Sequence, residues 1–165
     1  MRIIKLGIIS IIFFALLITG FSLFFPSNIR ISKAIDINAS KDTVLLQISN
    51  VENWKHWFPG VDSAELIIEN GKVKGISTIN KQQLIINEIT DSTVLAVTKT
   101  SGLKDGESGW IFFSSSVPNT ITVQWYMDFH LHWYPWEKFS SLLLEKRYGP
   151  MMEIGLSHLK KLIEK

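Results

Sequence analysis

The first apolar block of the chain is continuous rather than periodic. Leu6 to Phe25 carry no charge, and Leu, Ile and Phe fill 14 of these 20 positions. Coiled as a helix, the run spans roughly 30 Å, the thickness of a bilayer's hydrocarbon core. It predicts a membrane-spanning helix. A cleaved signal peptide is the alternative, and Gly20-Phe21-Ser22 offers a small-x-small cleavage pattern. Such a peptide has an apolar core of about 7–15 residues, whereas here Leu23-Phe24-Phe25 carries the run straight past the site. Residues 1–28 therefore read as an anchor with a short linker, and residues 29–165 as one domain. Pro26-Ser27-Asn28 is the only linker, which at about 3.3–3.6 Å per residue holds the domain close to the headgroups.

Beyond the linker the period changes to two. Ile29, Ile31, Ile35 and Ile37 alternate with polar residues, with Lys33 interrupting the apolar face. Ser40 is placed to cap a short helix bearing Val44, Leu45 and Ile48, and Asn50 to Trp57 reads as a second one stopped by Pro59-Gly60. Strand patterns follow at Glu65–Glu69, Lys72–Thr78, Gln82–Ile89, Val94–Thr100, Trp110–Ser115 and Thr120–Leu131. Asn70-Gly71 is a type I′ hairpin signal, and Gly102–Gly109 reads as a hairpin loop. Short connections imply an antiparallel meander. In the last strand Ile121, Val123, Trp125, Met127, Phe129 and Leu131 share one face. Thr122, Gln124, Tyr126, Asp128, His130 and His132 share the other. At about 40 Å this strand belongs to a strongly curved sheet. Trp136–Lys146 and Met151–Glu164 read as two helices separated by Gly149-Pro150. The second has an apolar stripe at Met152, Gly155, Leu159 and Ile163, and it is the long amphipathic element such a sheet can wrap.

Composition narrows the function classes. The net charge of +2 comes wholly from Arg2 and Lys5, and the remaining 15 basic residues balance 15 acidic ones. A neutral domain exerts little long-range pull on phosphate, which argues against nucleic acid as a partner. The same two residues favour an N-terminus inside and a domain translocated outward, although Arg30, Lys33 and Lys41 nearly offset them. The absence of cysteine removes a disulfide framework, a thiolate metal site and a cysteine nucleophile.

Three stretches resemble a known family when taken in order. They are Ile35-Asp36-Ile37-Asn38-Ala39 before a helix, Trp54-Lys55-His56-Trp57-Phe58-Pro59 in a W-x-x-W-x-P pattern, and Tyr148-Gly149-Pro150 through Lys160. Together they resemble the START-like or SRPBCC superfamily, more narrowly its polyketide cyclase/dehydrase and lipid-transport group. Members with a membrane helix directly before the first strand occur, and this chain looks like one. The resemblance implies an α+β helix-grip fold, a curved antiparallel sheet around a long C-terminal helix, with a cavity between them for an apolar ligand.

The expected ligand is a hydrophobic small molecule or lipid. Its expected walls are Trp54, Trp57, Trp110, Phe112, Trp125, Met127, Phe129, Met152 and Gly155, each of which also suits an ordinary core. Glycine inside a helix costs about 1 kcal/mol relative to alanine, so Gly155 calls for close packing or for room for a ligand. Asp128, His130 and His132 have metal-ligand character but lie on the polar face, so no metal or other cofactor is expected. No catalytic constellation is evident. A cyclase- or dehydratase-like activity needs an acid or base such as Glu88, Glu107, Tyr126 or a histidine facing inward. A protein-binding module would instead show a filled core and an exposed apolar patch. Trp133-Tyr134-Pro135-Trp136 either packs the start of the terminal helix or meets the cavity mouth and lipid.

Overall fold

The computed structural model describes residues 2–61, 63–78, 82–99 and 105–165. Helix α1 (Arg2–Ser22) is long and apolar enough to cross a membrane, and its large side chains face outward along its whole length. Strand β1 (Asn28–Ile37) leads into α2 (Lys41–Ser49), which Ser40 caps by accepting from the backbone N–H of Thr43. A 3₁₀ turn, Val51–His56, follows and ends before Gly60, whose positive φ of 82° suits glycine.

The sheet contains β2 (Glu65–Glu69), β3 (Lys72–Ser77), β4 (Gln83–Ile89), β5 (Thr93–Lys99), β6 (Gly106–Ser114) and β7 (Ile121–His130) beside β1. All pairings are antiparallel, in the order β1-β7-β6-β5-β4-β3-β2. Asn70 and Gly71 both take positive φ, as a type I′ hairpin demands. The chain closes with α3 (Pro135–Ser140), a 3₁₀ turn at Ser141–Leu143, and α4 (Leu144–Ile163). Helix α4 lies across the inner face of the sheet and packs chiefly on β1.

Two sequence expectations are corrected here. The first concerns Gly149-Pro150, which lies inside α4 while the helical chain is interrupted earlier, at Ser141–Leu143. Tertiary packing outweighs the local helix-breaking tendency. Gly149 is buried where the Lys33 side chain crosses the helix, and an added Cβ would sit 3.2 Å from Lys33 Cε. Lys33, the polar interruption on the inner face of β1, bonds Glu145 at 2.7 Å and Glu153 at 2.9 Å, clamping α4 to the sheet. Those hydrogen bonds push its pKa up to about 12.

The second correction concerns Gly106 to Gly109, which are strand rather than loop. Gly109 stands opposite Tyr126, and an added Cβ would come within 2.5 Å of the tyrosine ring. The ring fills the place of the missing side chain on the outer face, which makes glycine acceptable in the strand. Residues 102–104 of the expected loop lie outside the described residues.

Candidate functional site

The inner face of the sheet has two unlike halves. Towards the start of β7, Trp125 stacks on Trp110 of β6 with ring centroids 5.5 Å apart. Trp57 and Phe58 close over them, with Trp57–Trp110 at 6.2 Å and Phe58–Trp125 at 5.1 Å. Trp54 stacks on Phe58 at 5.1 Å. The Trp125 indole N–H donates to Ser108 Oγ at 2.9 Å, and that of Trp54 donates to the Ile48 carbonyl at 2.8 Å. Trp54, Trp57, Trp110, Trp125 and Met152 are all sealed from solvent, and Phe112 is buried beside them.

Gly155 explains how tightly this half closes. A Cβ there would lie 2.9 Å from both Pro59 Cδ and Trp125 Cζ3. The glycine therefore serves close approach of helix and sheet rather than leaving space, and burial in this packing offsets its helix cost.

Towards the end of β7 the same face opens. Met127 and Phe129 line a cavity of about 340 Å³. Leu144 and Tyr148 of α4 face them across it, and Phe129 and Tyr148 meet with centroids 4.9 Å apart. The cavity falls within the roughly 300–1,000 Å³ usual for small-molecule sites. Thus two of the nine expected wall residues reach this cavity, and the other seven belong to the closed half.

The cavity lining is mixed, with Gln82, Thr98, Glu107, Asp128, His130, Glu137, Ser140 and Arg147 at its walls beside the apolar residues. Thr98 of β5 lines it, and its Oγ1 is buried with no hydrogen-bond partner among the described residues. Such an atom costs about 1–3 kcal/mol unless something bonds it. Glu137 of α3 lies at the wall and accepts from the His132 backbone N–H at 2.7 Å. Its carboxylate also meets His132 Nδ1 at 3.1 Å. Arg147 lies at the rim. Sequence reasoning missed Thr98, Leu144 and Tyr148, because only the inward phase of β5 and the path of α4 bring them to β7.

Of the other candidates, Tyr126 and Glu107 bond each other at 2.6 Å on the outer face, under the Arg30 guanidinium, 4.1 Å from the ring centre. Burial, with Glu107 alongside, holds the Tyr126 hydroxyl well above the usual tyrosine range, so it keeps its proton. Asp128 is taken by a two-pronged bond from Arg30, at 2.7 and 2.6 Å. That bond raises the Arg30 pKa. With Asp128 held by Arg30, His132 by Glu137 and His130 exposed, the three do not converge. Among the described residues no group of three or more histidine or acidic side chains could hold a metal ion. A wider groove of about 570 Å³ runs over the outside of the domain past Ser27, Asp105 and His130, but it lies open to solvent.

The comparisons with known proteins agree with this fold. The family model described as polyketide cyclase / dehydrase and lipid transport matches residues 28–164. A START superfamily protein from Mycobacterium smegmatis superposes with a TM-score of 0.62 at 14% identity, covering 82% of this chain and 97% of that one. Truncated norcoclaurine synthase from Thalictrum flavum gives 0.60 at 13% identity, with 82% and 93% covered. The di-domain ARO/CYC StfQ of the steffimycin biosynthetic pathway gives 0.63 at 9% identity, with 83% of this chain and 51% of that one covered. A comparison with curated proteins finds no match in sequence. The match of this family model over residues 28–164, on a START-like fold, places the chain in the polyketide cyclase / dehydrase and lipid transport family.

Proposed function

We propose that the protein is a membrane-anchored carrier or receptor for one hydrophobic small molecule or lipid, held between β7 and α4. The observation that carries this reading is the cavity at Met127, Phe129, Leu144 and Tyr148, which opens beside the sealed aromatic half of the same sheet face. Burial there favours an apolar ligand by about 25 cal/mol per Å² removed from water, less ordering costs. The Thr98 hydroxyl supplies a hydrogen bond for one polar atom of the ligand. The closed aromatic half acts as the rigid floor against which the ligand's end rests.

Helix α1 supports anchoring by its length and composition, and Arg2 and Lys5 support an outward-facing domain. A reporter enzyme fused after Lys165 tests sidedness. An extracytoplasmic signal is expected, and a cytoplasmic one reverses the topology.

Ligand binding is tested by extracting the purified full chain with organic solvent and identifying the released molecules by mass spectrometry. One apolar molecule per chain is expected, and none would refute the reading. A second reading, a cyclase-like enzyme, is favoured by one feature. Glu137, paired with His132, puts a carboxylate at the cavity wall, where an acid or base could reach a bound substrate. Conversion of the extracted molecule by the protein, lost in Glu137→Gln, would favour that reading.

A further inference from the structure

The segment between β7 and α4 carries apolar surface that the fold does not use. Trp133 is 62% exposed, Trp136 67%, and Leu142 and Leu143 63% each, within eleven residues of chain. Tyr134 stacks flat on Trp136, with centroids 4.8 Å apart, so the rings form a stiff platform. Large apolar side chains exposed together along one short segment mark an interaction surface.

Three observations say what it meets. The first is where α1 ends. Phe25 packs edge-on against Phe139 of α3, with centroids 5.4 Å apart. Lys138, only 4% exposed, donates through its ammonium to the Phe25 carbonyl at 2.9 Å and to Ser27 Oγ at 2.6 Å. The Leu131 N–H bonds the Ser27 carbonyl at 2.8 Å. The linker is thus a fixed joint that holds α3 beside the end of the apolar helix. The second is continuity, because Leu23 and Phe24 are exposed next to this joint and extend the apolar surface of α1 towards the platform. The third is composition. Tryptophan and tyrosine collect at the depth of lipid headgroups, and Lys146 and Arg147 stand exposed one turn beyond Leu143, as a surface facing anionic headgroups requires.

We infer that Trp133, Trp136, Leu142 and Leu143 form a docking surface for the lipid leaflet into which α1 inserts. Glu137, Ser140 and Leu144 of the same segment wall the cavity, so its α3 end lies against the bilayer and the ligand is a lipid-phase molecule taken from that leaflet. This inference rests on the anchored reading of the preceding section.

Tryptophan fluorescence tests it directly, because all six tryptophans lie outside α1. Four of them, Trp54, Trp57, Trp110 and Trp125, are sealed in the core, which leaves Trp133 and Trp136 as the reporters. The full chain is reconstituted into phosphatidylcholine/phosphatidylglycerol vesicles, with or without acyl-brominated phosphatidylcholine. Bromine should lower the emission by up to about a third, the share of two indoles in six, and Trp133→Phe/Trp136→Phe should abolish the drop. On the same wild-type vesicles, iodide in the water should quench these indoles poorly, a reading that depends on no variant.

Equal emission in both vesicle types, or full iodide access, from a chain that resists an alkaline carbonate wash overturns the docking and leaves the anchor standing. It would also leave the platform free for a protein partner. A chain that washes off overturns both. Bromine quenching without any extractable ligand sustains the docking and refutes the carrier reading.

Discussion

Strand β7 runs through two kinds of interior. Its first half, Ile121 to Trp125, meets an aromatic cluster closed by the 3₁₀ turn and by α4 at Gly155. Its second half, Met127 to His130, meets a cavity of about 340 Å³ roofed by α3 and the start of α4. The alternation of residues is the same in both halves, so the strand itself does not decide which is solid. The covering elements decide. Where a glycine lets α4 close onto Pro59 and Trp125, space vanishes; beside the interruption at Ser141–Leu143, space remains. Stability should therefore concentrate at one end and binding at the other.

Substitutions at each end test that division. Trp125→Ala should have the largest effect, a loss of about 3–5 kcal/mol in chemical denaturation, because a sealed indole and its bond to Ser108 disappear together. Gly155→Ala should cost about 1–3 kcal/mol in spite of alanine's better helix propensity, since the new methyl meets ring atoms of Pro59 and Trp125. A stabilised Gly155→Ala protein would mean that the closed half has slack. At the open end Phe129→Ala should cost about 1–2 kcal/mol, because that ring is only partly buried, but should weaken retention of the extracted ligand. Thr98→Val should have the smallest effect on stability, a gain of about 1 kcal/mol in the ligand-free protein as a buried hydroxyl without a partner among the described residues is removed. The same change should weaken ligand binding.

The sequence exposes much of this architecture, since period-two patterns, the Asn70-Gly71 turn and the Ser40 cap are local signals read from neighbouring residues. The two misjudged places, Gly106–Gly109 and Gly149-Pro150, share a cause. Each looks like a break by its own residues, and each is held in regular structure by a distant side chain, Tyr126 in one case and Lys33 in the other. The inward face of β7 was legible as a list, with Trp125, Met127 and Phe129 in phase. Its division into floor and cavity was not, because that depends on where α4 crosses. The outward placement of Tyr126 follows from the alternation of β7, whereas that of Glu107 became clear only from the register of β6 on β7, which pairs Glu107 with Asp128.

The central claim, that the open half of the β7 face holds an apolar ligand, is tested most directly by native mass spectrometry of the full chain released from lipid nanodiscs. Wild-type protein is compared with Thr98→Phe, which adds a ring into the cavity without touching the closed half. A single lipid-sized adduct on the wild-type chain, absent from the folded Thr98→Phe chain, is the predicted result. A wild-type chain without an adduct, or a Thr98→Phe chain that keeps the same one, would contradict it.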